Sequence, residues 1–182
     1  VLAPHHPANM VVLRGFAKHP DMLTLQQLYG LNPAAIAVYP MYKGLATLAG
    51  MKILPITKSP GGSGSTIAEE FLTLADNFQA FDFFFMHIKG TDSAGEDGDF
   101  ARKVSVIEEV DRHIPELLAL KPDVIIVTGD HSTPAVLKSH SWHPVPFLLN
   151  SRYTRADGIA EFGERACARG SLGTFLAKDG LT

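Results

Sequence analysis

The stretch VIIVTGDHS at residues 124–132 decides the fold, because a continuous apolar run breaks abruptly into an acid, an imidazole and a hydroxyl. Such a run predicts a central strand that is buried on both faces of a sheet. Open α/β sheets bind ligands at the carboxyl ends of their strands. Asp130 and His131 would offer an oxygen and a nitrogen to a divalent metal there. The alternative is a turn in which Asp130 only caps backbone groups.

Two further stretches also combine an apolar run with adjacent polar residues that could bind a metal. FDFFFMHI at residues 81–88 predicts a second strand, which is followed by the polar segment KGTDSAGEDG. Asp92 and Glu96 lie four residues apart in that segment, so one helical turn would let both carboxylates face a single ion. SHSWHPVP at residues 139–146 places His140 and His143 just before a third apolar run, FLL. The sequence therefore predicts three strand ends that converge on oxygen and nitrogen ligands.

The rest of the chain alternates between strand and helix patterns, which predicts an α/β fold with a mostly parallel sheet and helices on both faces. Strands are expected at residues 10–13, 34–39 and 52–56, the last at an edge because Pro55 has no N–H to donate. Helices are expected from Thr24 to Tyr29, from Pro40 to Leu48, from Thr66, from Asp99, and from Phe175. The long helix after Asp99 is expected to turn Phe100, Val104, Ile107, Val110, Ile114 and Leu117 inward and its charges and His113 outward.

Composition limits the classes of protein. A chain of 182 residues can bury one sizeable core, and its 46% hydrophobic content argues against disorder. The net charge of −3 gives no basic field for nucleic acid or an anionic membrane, so neither is an expected partner. The single cysteine, Cys167, excludes an internal disulfide framework and favours the cytoplasm. Residues 1–9 are interpreted as a linker, and the start at Val1 as a sign that the chain is a fragment of a longer protein.

Three blocks carry a resemblance to a known family. KGTDSAGEDGDF at residues 89–100, TGDHSTP at residues 128–134 and HSWHPVP at residues 140–146 closely resemble the cofactor-independent phosphoglycerate mutases of the archaeal type, in the alkaline phosphatase superfamily. The resemblance extends from about residue 9 to residue 173, and the blocks occur in family order. It implies an alkaline-phosphatase-like fold, in which residues 10–182 form the C-terminal part of the metal-binding catalytic domain.

The resemblance also implies an activity, the interconversion of 2-phosphoglycerate and 3-phosphoglycerate in glycolysis and gluconeogenesis, without 2,3-bisphosphoglycerate. The reaction would proceed through a phosphoserine with two divalent metals, manganese first and magnesium, zinc or cobalt as alternatives. By resemblance one metal would take Asp92, Glu96 and His140. The other would take Asp130 and His131 together with an aspartate and the nucleophilic serine from an earlier part of the family chain, which this sequence lacks.

Further expectations follow from the resemblance. Arg14 and Lys43 would contact the small phosphorylated carboxylic acid substrate, while Lys89 lies beside the site without an assigned role. The remainder of the parent chain would be a partner, and the 182-residue chain alone is expected to have little or no mutase activity. Histidines outside the blocks are not expected to bind metal, although His87 is expected to support the Asp92 loop through a hydrogen bond; the others are His5, His6, His19 and His113.

Two positions depart from the family pattern. Glu96 stands where the family often has His, and His143 stands where it often has Asp. A carboxylate can still bind metal, but it shifts the preference toward harder ions, so a retuned site is favoured over a lost one. Two alternatives to the mutase stay open. One is another metal-dependent phosphotransferase or hydrolase of the superfamily, and the other is a non-catalytic metal-binding module derived from it.

Overall fold

Helices and strands alternate in the first part of the computed structural model, which describes residues 13, 15–56 and 67–180. In chain order they are α1 (Leu25–Tyr29), β1 (Pro33–Ala37), α2 (Pro40–Leu48), β2 (Lys52–Ile53), α3 (Ile67–Asn77), β3 (Phe83–His87), α4 (Gly90–Asp97), α5 (Phe100–Ala119), β4 (Val124–Thr128), β5 (Phe147–Ser151) and α6 (Glu164–Cys167). The alternation runs from α1 to α4, and the pairs α4–α5 and β4–β5 break this order. None of the helices in the described ranges combines the length and the apolar character needed to cross a membrane.

The local sequence explains where several helices begin and end. Thr24 and Gln27 form a reciprocal capping box at the start of α1, and Gly30 ends the helix with a φ of 70°. Pro40 occupies the start of α2, where its missing N–H costs nothing. Asp99 caps α5 by accepting a hydrogen bond of 2.9 Å from the backbone N of Arg102. These three helix starts are as predicted.

A parallel sheet with the order β2-β1-β3 forms the centre of the fold. All five residues of β1 are buried, and both α2 and α3 contact this strand. One cluster of the buried core consists of Ala34, Ile36, Leu54 and Leu74. The prediction of an α/β fold with a parallel sheet is confirmed, and β2, before Pro55, lies at the edge of the sheet.

The expectation that residues 124–128 form a central strand buried on both faces is wrong within the described chain. This segment, β4, pairs antiparallel with β5 in a separate two-stranded sheet. Val124 is 50% exposed and Ile126 is 37% exposed. An apolar run shows that a strand gains from cover on both faces, but it does not show which segments provide that cover.

The long helix α5 half-buries four of the six residues that were predicted to turn inward, Val104, Val110, Ile114 and Leu117. The prediction is wrong for Phe100, which is 72% exposed, and Ile107, which is 51% exposed. It is also wrong for Lys103 and His113, which are half-buried. The His113 ring stacks on Phe71 with 5.1 Å between ring centroids. The reason is that α5 packs against α3 and α4, so these neighbours select its buried face.

Some predictions fall on other parts of the chain. The linker at residues 1–9, the strand proposed for residues 10–13 apart from Leu13, and the cap Thr66 lie outside the described residues. The helix expected from Phe175 is a 3₁₀ turn at Ala177–Asp179. In α3, Phe71 and Leu74 are buried as predicted, but so are the carboxylates of Glu69 and Glu70.

Burial of Glu70 leads to a prediction about pH. Its side chain is 4% exposed, and burial raises the pKa of the carboxyl from 4.5 to about 7. Because the unfolded chain loses this proton at a lower pH than the folded chain, stability falls as pH rises between those two values. Glu70→Gln should remove this loss, which amounts to about 3 kcal/mol.

Urea unfolding at about pH 5 and about pH 8 measures the free energy of unfolding of the variant and of the wild type. The effect is the change, between the two pH values, in the difference between these free energies. The exposed Glu108 provides a matched control, because Glu108→Gln removes a carboxylate from a surface position. An equal pH dependence for the Glu70→Gln variant and the unmodified chain would contradict the assignment.

Candidate metal centre

The first part of the site is built by α4, which begins directly after β3. Asp92 lies in the first turn of this helix and Glu96 follows one turn later, as the four-residue spacing predicts. The Asp92 side chain is only 13% exposed. It accepts a short hydrogen bond from Lys89 Nζ, with which it forms an ion pair, and a hydrogen bond of 2.5 Å from Thr133 Oγ1. Both oxygens of the carboxylate are therefore held.

The second part comes from the segment after β4. Asp130 and His131 follow this strand. The next residue, Ser132, accepts a hydrogen bond of 2.9 Å at its carbonyl oxygen from the backbone N of Ser141. This isolated bridge brings His140 beside His131, and the two imidazole rings lie 3.8 Å apart between centroids. The segment around Ser141, nine residues after Ser132, thereby joins the segment at the end of β4.

Asp92, His131 and His140 form one cluster, in which the three ligand atoms all lie within 4.8 Å of one another. His140 Nε2 lies 3.5 Å from Asp92 Oδ1 and 3.7 Å from Glu96 Oε1. Two ligands of a tetrahedral ion, each about 2.1 Å from it, are separated by about 3.4 Å. The carboxylate and imidazole donors thus fit a shared divalent cation with small side-chain adjustments.

His131 lies close to both groups of ligands that the resemblance implied. His131 was expected to pair with Asp130 at a second metal, and its Nε2 does lie 3.4 Å from Asp130 Oδ2. However, His131 also belongs to the Asp92 and His140 cluster. All five predicted ligands therefore share one region, and His131 lies between its two halves.

Thr133 fixes the orientation of two of these side chains. Its hydroxyl has a single hydrogen, which it donates to Asp92 Oδ1, because a carboxylate can only accept. His131 Nδ1, 3.0 Å from the same hydroxyl oxygen, is then the donor of the second hydrogen bond. We therefore assign the Nδ1–H tautomer to His131, which leaves the Nε2 lone pair free to bind a metal.

The local charges keep the carboxylates ionised. Burial alone would raise the pKa of Asp92, but hydrogen bonds from Lys89 and Thr133 outweigh it, so the pKa lies below its ordinary value. Burial also opposes ionisation of Asp130, and the hydrogen bond from Tyr42 together with the nearby His131 lowers its pKa overall. Ionised carboxylates are the form that binds cations.

Not every residue singled out in the sequence contacts this cluster. Arg14 lies outside the described residues, and Lys43 is half-buried on α2 one position after Tyr42, the residue of that helix that reaches Asp130. His113 Nδ1 lies at a hydrogen-bond distance of 3.1 Å from Glu116 Oε2, and His143 stacks on Trp142. The cluster found among the described residues includes none of these histidines.

Sequence reasoning missed several residues that support the site. Lys103 Nζ donates to the Thr133 carbonyl oxygen at 2.6 Å, although its charge predicted a solvated position. Tyr42 donates to Asp130, and no pattern in the sequence signals this contact. The expected hydrogen bond from His87 is absent at Nδ1, which is buried without a partner in the described chain. Thr133 belongs to the block TGDHSTP at residues 128–134. Its hydroxyl, two residues after His131, was the feature of the sequence that could have identified it as a supporting residue.

Fold and site together define an α/β protein with an acid and histidine cluster at strand ends. The sequence matches the Metalloenzyme superfamily over residues 5–179, and the chain belongs to this family of divalent-metal proteins. It is 53% identical over all 182 residues to a protein of Thermotoga neapolitana named a probable 2,3-bisphosphoglycerate-independent phosphoglycerate mutase. A protein of Aquifex aeolicus with the same name is 50% identical over 97% of the chain. The chain spans 44% and 42% of these relatives, less than half of their length.

Solved structures agree with the fold. A protein structure from Pyrococcus horikoshii superposes with a TM-score of 0.82 and 30% identity, and it covers 89% of this chain and 44% of its own. A cofactor-independent phosphoglycerate mutase from Thermoplasma acidophilum gives a TM-score of 0.63 and 27% identity over 84% of this chain and 35% of its own. These matches confirm the resemblance to cofactor-independent phosphoglycerate mutases that the sequence blocks indicated.

The contact between α4 and Thr133 predicts the effect of one methyl group. A Cβ on Gly95 would lie 2.3 Å from the Thr133 carbonyl oxygen, a distance that the backbone cannot accommodate without moving. Gly95→Ala should therefore destabilise the chain and weaken metal binding, although alanine is favoured over glycine in a helix by about 1 kcal/mol. Gly44 in α2 is the matched control, because its Cβ position is open.

Thermal melting with and without manganese distinguishes the two glycine variants. Gly44→Ala should leave the melting temperature equal or higher, whereas Gly95→Ala should lower it and reduce the stabilisation by manganese. Equal behaviour of the two variants would show that the close approach of Gly95 to Thr133 is unimportant.

The hydrogen bonds of Thr133 predict a second effect. Thr133→Val keeps the shape of the side chain but removes the hydroxyl that orients Asp92 and His131, so manganese affinity should fall about 10- to 100-fold. Calorimetric titration with manganese measures this loss. Thr47→Val on α2 is the control, because the Thr47 hydroxyl donates to the Lys43 main-chain carbonyl oxygen within its own helix and contacts none of the proposed metal ligands in the described part of the chain. An unchanged affinity in the Thr133→Val variant would refute the role of this hydroxyl.

Proposed function

We propose that residues 10–182 form the C-terminal part of the catalytic domain of a cofactor-independent phosphoglycerate mutase. The whole protein would interconvert 2-phosphoglycerate and 3-phosphoglycerate in the cytoplasm through a phosphoserine, with the serine outside this chain. One observation carries the proposal: Asp92, His131 and His140 gather at strand ends in a chain that is 53% identical to a probable mutase. No 2,3-bisphosphoglycerate would be required.

Two divalent ions, with manganese first, are proposed from the resemblance, and the cluster of Asp92, His131 and His140 supports binding of a divalent ion. Asp92, Glu96 and His140 would hold one ion. Asp130 would supply part of the second set together with His131, which lies near both groups. When bound, such ions neutralise the charge of a phosphoryl group during its transfer. Carboxylate oxygens favour hard ions and imidazole favours softer ones, so this mixed set is compatible with manganese, magnesium, zinc or cobalt.

Residues of the chain itself would prepare the site for this reaction. Thr133 keeps the Asp92 carboxylate and the His131 ring in one orientation, so binding an ion requires little reorganisation. Lys89, 23% exposed and beside Asp92, adds a positive charge at the edge of the cluster, where an anionic substrate would approach. Arg14 and Lys43 are proposed to contact the phosphate or carboxylate of the substrate.

The proposal predicts that loss of one ligand abolishes the activity of the full-length protein that contains these residues. Asp92→Asn should reduce kcat/KM by about 100-fold or more, since loss of a group that only supports a ligand already costs 10- to 100-fold. Phosphorus NMR of the two phosphoglycerates measures the exchange, with manganese added after chelation. Asp111→Asn, which removes an exposed carboxylate on α5, is the control.

Other outcomes identify the alternatives. Release of phosphate from phosphate esters without exchange between the two phosphoglycerates would indicate a hydrolase of the superfamily. Manganese binding without either reaction in the full-length protein would indicate a non-catalytic metal-binding module. Exchange that survives complete removal of divalent ions would contradict the proposed role of the cluster.

A further inference from the structure

Tyr42 connects the parallel sheet to the segment after β4. It lies in the first part of α2, which packs on β1, and its side chain is only 7% exposed. Its hydroxyl donates a short hydrogen bond to Asp130 Oδ2, a residue 88 positions later in the chain. The other oxygen, Oδ1, accepts from the backbone N of His131 at 3.1 Å. Both Asp130 oxygens are thus held, one of them by a tyrosine from another part of the fold.

His87 in turn supports the Tyr42 ring. The two rings stack with 3.5 Å between centroids and 22° between planes, and His87 lies at the end of β3. Its Nδ1 is buried without a hydrogen-bond partner in the described chain, so this nitrogen does not explain why the ring is placed here. Burial also lowers the pKa of His87, which favours the neutral ring. The flat surface of the imidazole is what contacts Tyr42.

We propose that Tyr42 is a positioning residue that aims the Asp130 carboxylate at a bound divalent ion, and that His87 holds Tyr42 in place through ring stacking. The inference rests on the proposed function, because it requires Asp130 to be a metal ligand. It adds a residue that lies outside the three sequence blocks and that binds no ion itself.

The physical reason is the freedom of the Asp130 side chain to rotate. The carboxylate follows a strand end that is partly exposed, and its Oδ2 lies 3.4 Å from His131 Nε2. In the assigned tautomer that nitrogen carries a lone pair, so it cannot donate to Oδ2 and does not hold the carboxylate in place. The Tyr42 hydroxyl does donate to Oδ2, and this bond keeps the carboxylate oriented for a cation.

Manganese titration by calorimetry of the full-length protein that contains these residues tests the inference. Tyr42→Phe keeps the ring and removes only the hydroxyl, and it should weaken binding at Asp130 about tenfold. Tyr39→Phe is the matched control, because Tyr39 lies three residues away, is 44% exposed and contacts Lys89 through its ring face. It should leave the affinity unchanged. Equal affinities for Tyr42→Phe and the wild type would overturn the proposal.

A double-mutant cycle shows whether Tyr42 acts through Asp130. In an Asp130→Asn background, Tyr42→Phe should have no further effect on manganese affinity, whereas a merely structural role would lower it equally in both backgrounds. Equal losses would therefore overturn the inference. If Asp130→Asn alone leaves manganese binding unchanged, Asp130 is not a metal ligand, and both its proposed metal role and the inference about Tyr42 fail. If Asp130→Asn weakens binding but Tyr42→Phe does not, the inference alone fails.

Variants of His87 test the stacking. His87→Phe preserves an aromatic face against Tyr42 and should retain manganese affinity, while His87→Ala should reduce it to the level of Tyr42→Phe. Circular dichroism of each variant establishes that it is folded, and the conservative His87→Phe variant keeps the test decisive if His87→Ala does not fold. Loss of affinity in a folded His87→Phe variant would show that the ring surface is not what matters.

Discussion

The contact of Thr133 with α4 is the constraint on which the site depends. Gly95 has no side chain, so the Thr133 main chain can lie directly against the helix that carries Asp92. The carbonyl oxygen of Thr133 accepts from Lys103 on α5, and its hydroxyl bonds to Asp92 and His131. One residue therefore links two helices to the segment after β4. This approach helps to bring the ligand atoms of both segments within range of one ion.

Carboxylates that lie close together repel one another, and hydrogen-bond donors of the chain reduce this repulsion. Lys89 and Thr133 donate to Asp92, and Tyr42 donates to Asp130. These contacts favour ionised carboxylates at low pH and limit the repulsion between them. His140 remains 55% exposed, so the cluster is accessible from solvent. A divalent cation would complete the compensation, which is why we interpret the cluster as a metal site.

Two segments show how packing overrides sequence patterns. Residues 124–128 have the apolar composition of a doubly covered strand, yet β4 pairs only with β5 in the described chain and exposes Val124 and Ile126. In α5 the predicted inward residues Phe100 and Ile107 are exposed, while Lys103 turns in to bond Thr133. In both cases periodicity records which side chains are apolar, and the neighbouring elements decide which of them are covered.

The sequence by itself determined the α/β class, most element positions, the family resemblance and the residues that could bind metal. These properties depend on local patterns: apolar runs, helix caps such as Thr24 and Asp99, and acids and histidines just after strands. Tertiary structure alone decided that His131 groups with Asp92 and His140, that Thr133 sets its tautomer, and that Tyr42 reaches Asp130. Those contacts join residues as many as 88 positions apart, and their geometry depends on how helices pack on the sheet rather than on any local spacing.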